Sequence, residues 1–195
     1  MKKLGRILLK IVEEVPAIVV AVFLALVVND CNENRKEHQL ANSSLRALEA
    51  ELMQNQKSLE KNMASNQLEV ATMQADLDSL KAVGIENMSS VTVGISQTIL
   101  QKSAWEMAIL SGSTRQFDTA LLAELTQIYG LQELYDEMSV HYFKELGSVQ
   151  FYKPDQEKER LQASLQVHQL TSDISNQLMN LYESVIPKIT AVTKK

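Results

Sequence analysis

From Val15 to Val28 the chain reads VPAIVVAVFLALVV, fourteen residues without one charged or strongly polar side chain. As a helix this run is about 21 Å long, short of a hydrocarbon core of about 30 Å. Extending it back to Ile7 gives 22 residues and about 33 Å, enough to span, at the expense of taking in Lys10, Glu13 and Glu14. Fifteen Leu, Ile, Val and Phe residues lie between Ile7 and Val28, each favouring insertion by roughly 0.3 to 0.6 kcal/mol, against roughly 2.5 to 3.5 for a charge at the centre. The charges are off-centre, so the pattern predicts an N-terminal transmembrane helix with Glu13 and Glu14 at headgroup level. Ahead of it, Leu4, Ile7, Leu8 and Ile11 share one helical face while Lys3, Arg6 and Lys10 fall near the other, as in a helix lying at a membrane surface. Residues 1–14 thus read as a basic amphipathic lead-in, 15–34 as the span and its juxtamembrane segment, and 35–195 as an extramembrane body. No small-x-small cleavage site follows the apolar run, which makes it an uncleaved anchor.

The body is patterned for helices. Between Pro16 and Gly84 there is neither Gly nor Pro, so one long helix is permitted, with Asn29–Asn34 and Ala41–Ser44 as the weakest stretches. Leu45, Leu52, Leu59, Asn66, Met73 and Leu80 recur every seven residues, and a second stripe moves from Leu48 to Met63, Val70 and Leu77. Asn55, Asn62, Glu69 and Asp76 occupy the would-be second core row and argue against a self-sufficient two-stranded coil. Gly84 is a break; a shorter helix is expected from about Thr92 to Leu110, closed by Gly112. Asp118 caps a third helix carrying Leu121, Leu125, Ile128, Tyr135, Met138, Tyr142, Leu146 and Val149. A fourth follows Pro154 and carries Leu161, Leu165, His168, Ile174, Leu178, Leu181 and Val185 until Pro187. The expected fold is all-α: an N-terminal transmembrane helix running into a long helix, then an antiparallel, up-down bundle of about four helices.

Charge sharpens this division. The whole chain has a net charge of -5, but residues 1–36 carry +2 and residues 37–195 carry -7. Four basic residues precede the span, while only Arg35 and Lys36 follow closely, which places the N-terminus inside and the body outside. An acidic body lacks the cationic face that nucleic acid requires. The single Cys, Cys31, excludes an intrachain disulfide framework.

Two segments resemble a bacterial family of uncharacterised, single-span membrane proteins. Leu24–Glu37, LALVVNDCNENRKE, is similar to the family's pattern of an apolar helix ending in Asn, Trp, Asn-Glu and a basic pair. Asn29, Asn32, Glu33, Arg35 and Lys36 match; Cys31 stands where Trp is usual. Ser103–Gly112 and Phe117–Tyr135 resemble the family's middle region. The resemblance implies an inner-membrane protein with its N-terminus cytoplasmic and a helical domain in the periplasm, and it carries no established activity.

Candidate chemistry is sparse. His38, His141 and His168 stand far apart, and although Glu137 and His141 have i, i+4 spacing, no partner Glu-x-x-His motif accompanies them, so no metal or other cofactor is expected. No Gly-rich phosphate loop, nucleophile elbow or Cys-His pattern occurs, so no catalytic residues are assigned. Trp105, Tyr129 and His168 are the candidate partner or ligand contacts; for Trp105 packing is the competing role, and for His168 a hydrogen-bonded core position. The expectation is a non-enzymatic, membrane-anchored interaction or scaffold protein. Its partners would be the lipid bilayer, another membrane or periplasmic protein, and, as a further candidate, a second copy of the chain. The alternative is a ligand-sensing bundle that signals through a membrane partner.

Overall fold

The structure, a computed structural model, describes residues 2–83, 98–146 and 157–194, with side chains for 19–20, 23–79, 98–144 and 158–194. Four α-helices follow one another: α1 (Lys2–Val83), α2 (Ser103–Leu110), α3 (Thr119–Leu146) and α4 (Glu157–Thr193), with a 3-10 turn at Ser113–Gln116. Leu146 is described only in its backbone, and Leu80, Gly84, Val149 and Pro154 lie outside the described side chains.

Helix α1 is 82 residues long, about 120 Å from end to end. The interruptions expected at Asn29–Asn34 and Ala41–Ser44 do not occur. Weak local formers yield there because the flanking turns already hold the backbone, and extending a helix is far easier than nucleating one. Among the described residues no helix is long and apolar enough to cross a membrane; within the apolar run, described side chains begin at Val19 and omit 21–22.

The bundle begins at Ala41. Buried positions on α1 are Ala41, Leu45, Leu48, Leu52, Asn55, Leu59, Asn62, Asn66, Met73 and Leu77, mostly alternate three- and four-residue steps of the kind that packs helices side by side, together with Glu51 beside that row. The row expected to pass through Met63 instead runs through Asn55 and Asn62, with Met63 half-buried. Helix α3 repeats the pattern with Leu121, Leu125, Ile128, Gln132, Tyr135, Ser139 and Tyr142. Helix α4 does so with Leu161, Ser164, His168, Ser175, Leu178, Tyr182, Val185 and Ile189.

Hydrogen bonds fix the directions. Gln116 reaches Glu37, Tyr129 reaches Glu51 and Tyr135 reaches Asn62, so α3 runs parallel to α1. Helix α4 runs back along both: Thr190 meets Glu49, Asn66 meets His168 and Ser172, and Gln132 meets Tyr182. The order is therefore up, a return beside α1, up, and down, the alternation expected, with the second course made by extended chain and the short α2. The return passes Leu100 and Gln101 as non-helical chain and then forms α2, so the expected helix from Thr92 is replaced, within the described residues, by one that starts at Ser103. Gly112, at φ 72°, closes α2 in the left-handed region that glycine enters without a Cβ penalty. Asp118 caps α3 as expected, its Oδ1 accepting the backbone N–H groups of Ala120 (2.9 Å) and Leu121 (3.2 Å). Helix α4 does not stop at Pro187 but continues through it to Thr193; Pro187 is exposed, where a helix can bend outwards around a missing hydrogen bond.

Candidate functional site

The most elaborate polar arrangement of the described residues lies where α2 meets α1 and α3. Glu51 is 5% exposed, yet it keeps its lone pairs occupied. Its Oε2 accepts the backbone N–H of Ala104 (2.7 Å) and the Ser103 hydroxyl (3.1 Å), and its Oε1 accepts the Tyr129 hydroxyl (2.7 Å). Lys102, at the helix cap position, supplies no side-chain cap of its own, so a carboxylate from another helix closes the N-terminus of α2. The partial positive charge of that terminus and three donors serve the buried carboxylate. Four residues on, Asn55 clamps the returning chain: its Nδ2 donates to Gln101 O (2.7 Å) and its Oδ1 accepts Gln101 N–H (2.8 Å).

The tyrosines bridge the helices. Burial pushes the Tyr129 hydroxyl far above its ordinary value, and Glu51 adds to this through its hydrogen bond and its charge. Burial raises Tyr182 as well, partly opposed by the hydrogen bond from Gln132, whose Nε2 donates at 2.8 Å. Tyr135 is raised by burial too, and donates to Asn62 Oδ1 (3.1 Å). These hydroxyls serve as fixed donors and acceptors rather than proton carriers.

Trp105 stacks on Tyr129 with ring centroids 4.9 Å apart and planes within 3°. Together with Ile109 and Gly130 they line an open groove of about 410 Å³ between α2 and α3. A second groove of about 380 Å³ continues from it along α3, sharing Lys102 and Glu133 and adding Asp136, Glu137 and Val140. Burial raises the Asp136 carboxyl, Lys102 lowers it, and Glu133 raises it again. The outward side of α2 is apolar: Met107, Ile109 and Leu110 are exposed, as is Ile99 just before it.

The structure thus brings together two of the three candidate contacts, Trp105 and Tyr129, and separates them from His168. His168 is buried farther along the bundle, its ring edge-on to Tyr142 (centroids 6.0 Å apart) and its Nε2 3.8 Å from Glu69 Oε2. Of the juxtamembrane residues, Asn29 donates to Glu33 one turn later (3.1 Å), while Asn32, Arg35, Lys36 and Cys31 are exposed. Among the described residues no group of three or more His, Cys, Asp or Glu could hold a metal ion. Glu51 and Asn55 escaped the sequence pattern because polar residues at core spacing look like flaws in a coil. For Glu51 the signal is Tyr129 on α3, long enough to reach it across the bundle. No family model, curated protein or solved structure matches the chain.

Proposed function

We propose that this is a non-enzymatic, membrane-anchored interaction protein whose helical bundle stands outside the membrane and offers the α2–α3 grooves to protein partners. The observation that carries the anchor is the exposure of Val19, Val20, Phe23, Leu24, Leu26, Val27 and Val28. At 100° per residue these side chains, with Ala25, surround the helix, and no part of the described chain covers them. A helix apolar on every side belongs in a protein core or in lipid. Because α1 is continuous, the same helix that enters the apolar run becomes the central rod of the bundle. The similarity of Leu24–Glu37 to the juxtamembrane pattern of single-span inner-membrane proteins supports the same placement, with the N-terminus cytoplasmic and the bundle periplasmic.

The groove supports protein docking. It is open, with an aromatic floor and charged rims, whereas small ligands favour concave sites that enclose most of their surface. Membrane fractionation of the full-length chain tests the anchor: it should resist carbonate and salt washing, and a periplasmic reporter fused after Lys195 should be active. Release by carbonate, or activity only from a cytoplasmic reporter, would refute it. Trp105→Ala should abolish partner capture in membrane cross-linking while leaving the chain in the membrane.

A further inference from the structure

Of the three histidines in the chain, His38 and His141 are exposed and His168 alone is buried, at 3% exposure. It stands where apolar packing is interrupted. The main cluster ends at Leu59 on α1 and Ile174 on α4, and a small one resumes at Met73, Leu77 and Leu161. Between them the buried positions of α1 and α4 are Asn62, Asn66, Ser164 and His168. From α4, His168 reaches both other long helices. Its Nε2 is 3.8 Å from Glu69 Oε2 on α1, its ring is edge-on to Tyr142 on α3, and its backbone carbonyl accepts Asn66 Nδ2–H (3.2 Å).

The surroundings of the ring favour a cation. From α1 the titratable group that faces it is the Glu69 carboxylate, still 24% exposed to water. From α3 it is the neutral Tyr142 phenol. On α4 the inward positions one turn to either side are Ser164 and Ser172, with Arg160 two turns away, and α2 lies in the other half of the bundle. The site is also short of donors: Asn66 Oδ1, an acceptor, is buried with no hydrogen-bond partner among the described residues. A neutral imidazole brings one N–H and a protonated one brings two. Burial by itself opposes a charged ring, and a carboxylate within about 4 to 6 Å favours one. In a polar surround with an acceptor to spare, the second effect prevails.

We propose that His168 and Glu69 form an acid-strengthened latch: as pH falls His168 takes up a proton, and its ion pair with Glu69 fastens α4 to α1 in the distal half of the bundle. When that half opens, the ring loses Glu69 and binds its proton as an ordinary histidine does, at about pH 6.5. In the closed bundle it keeps the proton to higher pH. The latch is therefore fully fastened below about pH 6.5 and slackens as pH rises beyond it. The inference is independent of the membrane placement and of the α2–α3 groove.

Hydrogen exchange of the full-length chain in detergent, at pH 6 and pH 8.5 and corrected for the intrinsic rate at each pH, tests this. Protection at residues 66–79 and 158–172 should be about ten-fold greater at pH 6, the effect of one charge pair, and protection at 45–62 should be the same at both. His168→Gln and Glu69→Gln should each flatten the profile, whereas His141→Gln, on the outer side of α3, should leave it intact. In a His38→Gln, His141→Gln background the one remaining imidazole, followed by NMR, should titrate over the range in which protection changes; this reading needs no substitution in the latch itself. Protection that is flat or greater at pH 8.5, a profile that survives in H168Q or E69Q or disappears in H141Q, or a ring that stays neutral from pH 8.5 to pH 6 would each overturn the proposal.

Discussion

Glu51 joins three elements through one carboxylate. Replacing it with Ala leaves the Tyr129 hydroxyl, the Ser103 hydroxyl and the Ala104 N–H without their acceptor. A buried donor left unpaired costs roughly 1 to 3 kcal/mol, and water entering from the α2 edge would recover part of the loss. The expected net cost of Glu51→Ala is roughly 3 kcal/mol, read from denaturant unfolding, with Trp105 fluorescence changing before the helical signal as α2 lifts off. Simultaneous loss of both signals would show that α2 has no separate attachment. The tyrosine hydroxyls predict an alkaline limit. Tyr129, Tyr135 and Tyr182 all have raised values in the folded chain, so their contribution is fully present below about pH 10, the value in an unfolded chain. Above it the unfolded chain sheds protons that the folded one keeps, and stability falls as pH rises. Thermal melts at pH 9 and pH 11 should show this drop, and Tyr182→Phe should reduce it; an unchanged slope would mean the hydroxyls are solvated.

At the scale of elements, Pro187 shows where local rules and packing part. The ring denies its own N–H to α4 and ordinarily ends or kinks a helix. Here Val185 and Ile189 on either side are completely buried, and Thr190 bonds Glu49 on α1, so packing on both sides carries the helix through. Pro187→Ala should therefore stabilise the bundle, by roughly 1 to 3 kcal/mol given the usual penalty for proline inside a helix. Urea midpoints would check it, and a loss of stability would show that the proline itself is needed for the Glu49 contact. The same contrast explains what was legible beforehand. Asp118, Gly112 and the apolar rows of α3 and α4 are local signals, readable from cap chemistry and spacing. The parallel course of α1 and α3 follows from the expected up-down alternation, but the extended return clamped by Asn55 was not legible, because one side-chain amide leaves no periodic trace. His168 was legible as a core residue from its apolar stripe, whereas the pairing of Trp105 with Tyr129 arises only once α2 folds back onto α3.

Over the whole molecule the core is split. A large apolar cluster runs from Ala41 to Leu59 with its partners on α2, α3 and the C-terminal half of α4, and a small one holds Met73, Leu77 and Leu161. Between them lies a polar belt. Asn66 donates to His168 O (3.2 Å) and Ser172 Oγ (2.7 Å), and Ser139 donates to Tyr135 O (2.7 Å), while the buried Ser164 Oγ and Asn66 Oδ1 find no hydrogen-bond partner among the described residues. Unpaired buried atoms cost stability or recruit water, and the small cluster offers little apolar area to offset them. The two halves should therefore open with different free energies, the half near Glu51 being the firmer. Hydrogen exchange should run roughly ten- to hundred-fold faster at residues 66–79 and 158–172 than at 45–62 and 174–189, the range expected for local opening in one domain. Ser164→Ala should narrow the gap by removing an unsatisfied hydroxyl from the belt. Uniform protection along α1 and α4 would refute the split. If it holds, the groove lined by Trp105 and Tyr129, proposed above as a docking site, is built on the rigid half, beside the part of α1 that continues towards the apolar run, and the distal half can yield without disturbing it.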